Sequence, residues 1–267
     1  MIVNVLSIAG SDPSGGAGIQ ADLKTFGALG GYGMAAITAL TAQNTRGVFG
    51  IVSVAPDFVA AQVETILADI RVDAIKIGMI GSAAVAETLG RLLVGHPAIP
   101  IVVDPVLAAT SGDALASRDV GAATMRHLAP RATLLTPNLD EAAALAHRAA
   151  ATDVAAMENT GRALLTQGAN AVLVKGGHLT GVEAVDVLCT AAGSRHFAGP
   201  RITTKNTHGT GCTLSAAIAI FLAQGLDLPE AIAHAKAWLG SALASADALS
   251  VGGGHGPVDH FHGLHRR

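Results

Sequence analysis

Residues 206–213 read Asn-Thr-His-Gly-Thr-Gly-Cys-Thr, and this octet holds the densest chemistry in the chain. Gly209 and Gly211 flank Thr210 directly before an apolar stretch with helical composition, so several backbone N–H groups converge on one point. With the helix dipole added, such a start stabilises a phosphate or a developing phosphoryl oxygen. Cys212 lies in that first turn, where a thiolate is favoured and the thiol pKa is expected to fall. An isolated cysteine in a crowded turn is usually a small packing residue, but inside Gly-Thr-Gly-Cys it reads as a reactive group. Asp104 and Glu141 follow two separate apolar runs. Together they suit Mg²⁺, which takes one or two carboxylates and fills its other positions with water and phosphate oxygens. Lys175, next to Gly176 and Gly177, can balance phosphate charge or simply sit in solvent.

A second glycine loop, Gly10-Ser11-Asp12-Pro13-Ser14-Gly15-Gly16-Ala17-Gly18, matches neither GxGxxG nor a P-loop, since no Gly-Lys-Ser/Thr follows. Alone it is a strand-to-helix turn. Ser11, Asp12 and Ser14 nevertheless add polar groups that a turn does not need, and small residues let a ligand approach the backbone. Asp22, at the start of the following helix, is expected to accept a hydrogen bond from a ligand hydroxyl or amine. His255, His260, His262 and His265 have no cysteine near them; they read as a polar tail that folds back or frays rather than a metal site.

These groups need a frame. Residues 3–8, 74–77, 101–103, 133–135 and 171–174 are short, continuous apolar runs, the pattern of parallel strands covered on both faces. Helical segments at 57–69, 82–93, 118–128, 139–145 and 153–167 alternate with them. The alternation predicts an α/β fold with right-handed crossovers, a mostly parallel sheet flanked by helices on both faces. Residues 183–190 and 195–203, around Ala192-Gly193-Ser194, predict an antiparallel hairpin at one edge. Helices at 213–224 and 229–249 follow, with Gly225 as a C-cap and Pro229 in a first turn. No linker or repeat interrupts the chain, so residues 1–267 are expected to form one domain. Ligands of open parallel sheets sit beyond the strands' carboxyl ends, where Gly10, Met79, Asp104, Asn138 and Lys175 all fall.

Composition excludes several alternatives. A net charge of −3 argues against nucleic-acid or polybasic membrane binding. The longest apolar run, residues 214–223 with Ser215 inside it, is half of the about 20 residues a membrane helix needs. Two cysteines make no disulfide framework, and the first ten residues carry no basic segment or cleavage site. A soluble cytoplasmic protein is expected.

The residues quoted so far, in order along nearly the whole chain, resemble the hydroxymethylpyrimidine/phosphomethylpyrimidine kinases of thiamine biosynthesis. The likeness runs through residues 9–26, Thr38-Ala39-Leu40-Thr41-Ala42-Gln43-Asn44-Thr45, Asp104-Pro105-Val106, Thr136-Pro137-Asn138 with Glu141, residues 174–178, residues 206–213 and Gly254-His255-Gly256-Pro257-Val258. It implies a ribokinase-like fold, ATP with Mg²⁺ and transfer of the γ-phosphoryl group, and it suggests a homodimer. The substrates would be 4-amino-5-hydroxymethyl-2-methylpyrimidine and then its monophosphate. Gln43 would recognise the aminopyrimidine, with Met79 and the Gly10 loop flanking its ring. Cys212 would activate the hydroxyl, and the N–H groups of residues 209–212 would hold the transferred charge. Asp104 and Glu141 would organise Mg²⁺, while Lys175, Asn138 and Thr207 would border the nucleotide. Pro13 and Lys205 depart from the family pattern without removing any of these roles, and the length leaves no room for a fused thiamine-phosphate synthase.

Three rivals stand beside this reading. One is pyridoxine or pyridoxal kinase activity on the same fold. A second is acyl transfer by Cys212 with His208 as base, for which no orienting acid is evident in sequence. The third is a pyrimidine-binding protein without activity, which would not need paired carboxylates beside an anion site. On composition alone, residues 110–116 are a candidate lid.

Overall fold

The computed structural model describes residues 1–107 and 119–264, so the candidate lid and His265 lie outside the described residues. The strands are β1 (Asn4–Ser11), β2 (Tyr32–Asn44), β3 (Gly47–Ser53), β4 (Ala74–Ile77), β5 (Ile101–Val103), β6 (Leu134–Leu135), β7 (Ala171–Val174), β8 (Glu183–Thr190) and β9 (Gly193–Pro200). They form one mixed sheet in the order β3-β2-β1-β4-β5-β6-β7-β8-β9. From β2 to β7 every neighbouring pair is parallel.

Alternation along the strands splits the core in two. Leu6, Ile8, Ile75, Ile77, Val103 and Leu135 pack on one face. Val5, Ala74, Val102, Leu134 and Leu173 pack on the other. Both sets are apolar because helices cover both faces, so the parallel strands read as unbroken apolar runs.

The helices are α1 (Gly18–Ala28), α2 (Pro56–Asp69), α3 (Ala83–Leu93), α4 (Val120–Ala123), α5 (Leu139–Ala146), α6 (Val154–Thr166), α7 (Thr210–Ala223) and α8 (Leu228–Ser245). The expected helix ending at residue 128 begins as α4 and widens into a π turn at Thr124–Leu128. Side-chain caps set several starts: Ser82 accepts from the Val85 N–H, Asp153 from Ala156 and Asp227 from Glu230. Helix α7 is apolar on all sides because residues 213–220 are buried without a break, between α1, α8 and the sheet.

The expected hairpin is present as β8–β9, but the opposite edge is antiparallel as well. There β2 turns at residues 45–46 into β3. Sequence periodicity missed this pair because β2 is Ala-rich and β3 is exposed along most of its length. The C-terminal tail folds back: the His208 N–H donates to the Gly256 carbonyl, and His260 is buried 3.0 Å from the Thr213 hydroxyl.

Candidate active site

The carboxyl ends of the parallel strands open into a cavity of about 1600 Å³. Its wall contains Gly10, Gln43, Met79, Asp104, Asn138, Glu141, Lys175, Thr207 and residues 209–212. The topology therefore gathers, from six strand ends and one helix start, every expected site residue except Asp22.

The helix start is built by interlocking the two glycine loops. Gly209, at the N-cap of α7, has φ +77 and lies so close to the Gly16 carbonyl that a Cβ would collide with it. Only glycine satisfies both conditions. At Gly211 the missing side chain leaves room for the Lys175 ammonium, whose nitrogen would stand 3.1 Å from a Cβ, and for the Asp104 Oδ2 at 3.7 Å. The start of α7 thus faces a cation and a carboxylate directly. Thr210 ties the turn down by donating its hydroxyl to the Thr207 carbonyl at 2.6 Å.

Lys175 pairs with Asp104 at 2.7 Å, and the Thr136 hydroxyl donates to the same carboxylate oxygen at 3.1 Å. Burial alone would raise Asp104, but the Lys175 and Lys76 charges outweigh it and hold the carboxyl below its usual range. Asn138 and Glu141 form a reciprocal capping box at the start of α5, with bonds of 2.8 and 2.9 Å. Burial, helped by Asp104, pushes Glu141 up to about 7 against the pull of Lys175.

Two expectations change. Asp22 is wholly buried behind the cavity wall, where it pairs with Lys76 at 2.9 Å and accepts from the Ser7 hydroxyl at 2.6 Å. The reason is its place on α1: it falls on the stripe with Ile19, Thr25 and Phe26 that faces the sheet. The second change concerns Cys212, whose thiol is pushed up to about 11 rather than lowered. Desolvation is the main cause; Asp22 and Asp104 add to it, and Lys76 and the Gly18 N–H oppose it without prevailing.

Sequence reading also missed partners. His208 Nε2 lies 2.8 Å from the Asp12 carboxylate and 3.4 Å from the Gln43 amide. An acid therefore does stand beside His208, yet it engages the same nitrogen that faces Gln43, which ties His208 to the Gln43 wall. Asp186 and Lys236, paired at 2.6 Å, also line the cavity. Only the polar crowding of the Gly10 loop hinted at any of these.

Residues 12–259 match the family described as phosphomethylpyrimidine kinase. The chain belongs to this family. It is 51% identical to the hydroxymethylpyrimidine/phosphomethylpyrimidine kinase of Escherichia coli over 97% of this chain and 98% of that one. The kinase is thus a phosphotransferase. Its fold is ribokinase-like: a pyridoxal kinase from Staphylococcus aureus, solved with ADP, superposes with a TM-score of 0.90 at 34% identity, covering 98% of this kinase and 94% of that chain. A phosphomethylpyrimidine kinase from Clostridium difficile gives 0.79 at 39% identity, covering 90% and 99%.

Proposed function

We propose that the kinase transfers the γ-phosphoryl group of ATP to the hydroxymethyl group of 4-amino-5-hydroxymethyl-2-methylpyrimidine, and then phosphorylates the monophosphate. The observation that carries this reading is the shared cavity. One cavity is lined by Gln43, His208 and Met79, by the α7 start and by Asp186 and Lys236. One small aromatic ring and one nucleotide need such an arrangement around a single transfer point. ATP as donor is supported by the relative solved with ADP.

Phosphoryl transfer depends mainly on positioning and charge stabilisation. The N–H groups at the α7 start and the Lys175 ammonium would hold the transferred oxygens, while Gln43 and Met79 would hold the ring with its hydroxyl toward the turn. The substrate oxygen then bonds to the γ-phosphorus, the bond to the departing diphosphate breaks, and the hydroxyl proton passes to Cys212 in its thiolate form, the minor form at neutral pH of a thiol raised to about 11. Mg²⁺ fits the residues present: the Asp104 and Glu141 carboxylates line the same cavity close enough to repel each other, and one or two carboxylates with water and phosphate oxygens are what Mg²⁺ uses. Asp104 and Glu141 would hold it, and it would supply charge neutralisation on the phosphates.

A homodimer belongs to the proposal. Its support is the apolar β2–β3 edge, where Leu40, Phe49, Ile51 and Val52 are exposed. Pyridoxal phosphorylation is the second reading, favoured by the backbone match to the Staphylococcus aureus enzyme. Turnover of ATP with Mg²⁺ on the aminopyrimidine, its monophosphate and pyridoxal separates the two. A diphosphate product with pyridoxal much slower supports the proposal; dominant pyridoxal phosphorylation changes the substrate; no ADP from any of the three removes the kinase reading.

A further inference from the structure

Asp12 is a fully engaged acceptor. Its Oδ1 accepts the Ser14 N–H at 2.9 Å, and its Oδ2 accepts the Ala17 N–H at 2.9 Å and faces His208 Nε2 at 2.8 Å. Burial alone would raise this carboxyl, but the His208 and Ser14 hydrogen bonds hold it at about 2, so it is ionised. A carboxylate has no proton to give, and His208 Nε2 must therefore carry one whether the ring is neutral or charged.

The Gln43 carboxamide stands 3.4 Å from that nitrogen. With the amide nitrogen on this side, two donors face each other. The other end meets the Thr41 hydroxyl at 3.1 Å, and that hydroxyl also lies 3.0 Å from the Ser11 carbonyl. A hydroxyl has one proton, and the carbonyl can only accept it, so Thr41 turns a lone pair toward Gln43. An amide oxygen on that side would face another acceptor. A half-turn of the carboxamide, which keeps its shape, corrects both ends together.

We propose that Asp12, His208 and Thr41 fix the polarity of the Gln43 carboxamide, with Oε1 toward His208 and Nε2 toward Thr41, and so determine which way round a ring can bind. One Oε1 lone pair and one N–H then remain side by side on the cavity edge of the amide. They complement a ring edge carrying an exocyclic amine next to a ring nitrogen, with the amine on the His208 side. A ring bound the opposite way would set donor against donor and acceptor against acceptor. Asp12 and His208 are thus positioning residues that act through Gln43. The identity of the ring rests on the kinase reading above, whereas the amide polarity does not.

The first test is nuclear magnetic resonance on the isotopically labelled full chain without ligand. The Gln43 side-chain amide protons should show cross-relaxation to the Thr41 methyl, and His208 should carry a proton on Nε2. Amide cross-relaxation to the His208 ring instead, or a bare Nε2, overturns the proposal. The second test compares Thr41→Val with Thr41→Ser. Valine should raise KM for the aminopyrimidine roughly tenfold while KM for ATP stays put, and serine should restore it. A ring lacking the amine should not distinguish the two variants. A rise in KM for ATP as large as that for the ring, or no change with valine, sinks the polarity lock. If the parent enzyme does not turn over the aminopyrimidine at all, the substrate reading fails while the resonance result still decides the polarity.

Discussion

Cys212 shows how burial can reverse a local rule. A helix start lowers a thiol pKa, yet here desolvation lifts it to about 11. Alkylation of Cys212 by iodoacetamide in the free enzyme should therefore reach half its maximal rate near pH 11; a midpoint below the ordinary thiol value would restore the lowered pKa. If the thiolate accepts the substrate proton, kcat should climb about tenfold per pH unit above neutrality, as the thiolate fraction does. Cys212→Ala should cut kcat by well over tenfold while the substrates still bind. A flat pH profile would leave Cys212 as part of the anion turn only. Asp12 works in the opposite direction. Its folded pKa of about 2 lies below the ordinary carboxylate value of 3.8, so between these values the unfolded chain binds more protons and stability rises with pH. That contribution, about 2 kcal/mol, is present above the unfolded value and lost as pH falls through the folded one. Urea titrations of the parent and Asp12→Asn should converge toward pH 2 and separate above pH 4; a constant gap would exclude the ionic contribution.

Between elements, the Lys76–Asp22 pair joins β4 to α1 beneath the start of α7. Both side chains are fully buried. Burial alone would depress Lys76, but Asp22, Cys212 and Asp104 hold it above the ordinary lysine range. Burial lifts Asp22 above the ordinary carboxylate value against the pull of Lys76, and the 2.9 Å contact favours the ionised pair. Breaking such a pair from one side leaves an unpaired buried charge, and Lys76→Met should cost about 3–5 kcal/mol. Adding Asp22→Leu should recover most of that loss, because apolar replacement of a whole buried pair is near neutral. Urea midpoints would show it, and a single-variant cost no larger than that of a surface substitution would mean the pair is not held ionised. The same pair shows why the direction of Asp22 is hidden from sequence pattern. The position of Asp22 on a helix was legible, but the side of the helix it faced was not, because α1 has only a weak apolar stripe that a carboxylate interrupts. By contrast, Asn138 and Glu141 were legible as a helix start, since a capping box lies within four consecutive residues.

At the scale of the molecule, the exposed β2–β3 edge bears on assembly. Val52 pairs with Leu40 across the strands, and both side chains are exposed. Val52→Lys should lower the sedimentation coefficient to that of a monomer if this edge forms the dimer contact. An unchanged coefficient in a dimeric protein would move the contact elsewhere. Among the described residues no helix is long and apolar enough to cross a membrane. By itself the sequence determined the parallel strands other than β2, most helix starts, the glycine loops and the list of strand-end residues. Those depend on patterns within a few residues: apolar runs, caps, and turns that only glycine can make. Tertiary structure alone decided that the β2–β3 edge is antiparallel, that Asp22 turns away from the cavity, that Cys212 holds its proton and which way the Gln43 amide points. Each of these depends on partners far apart in the chain, as His208 is from Asp12 and Lys76 from Asp22. Desolvation and Coulomb forces act through space, and short-range sequence pattern carries no record of which distant groups will meet.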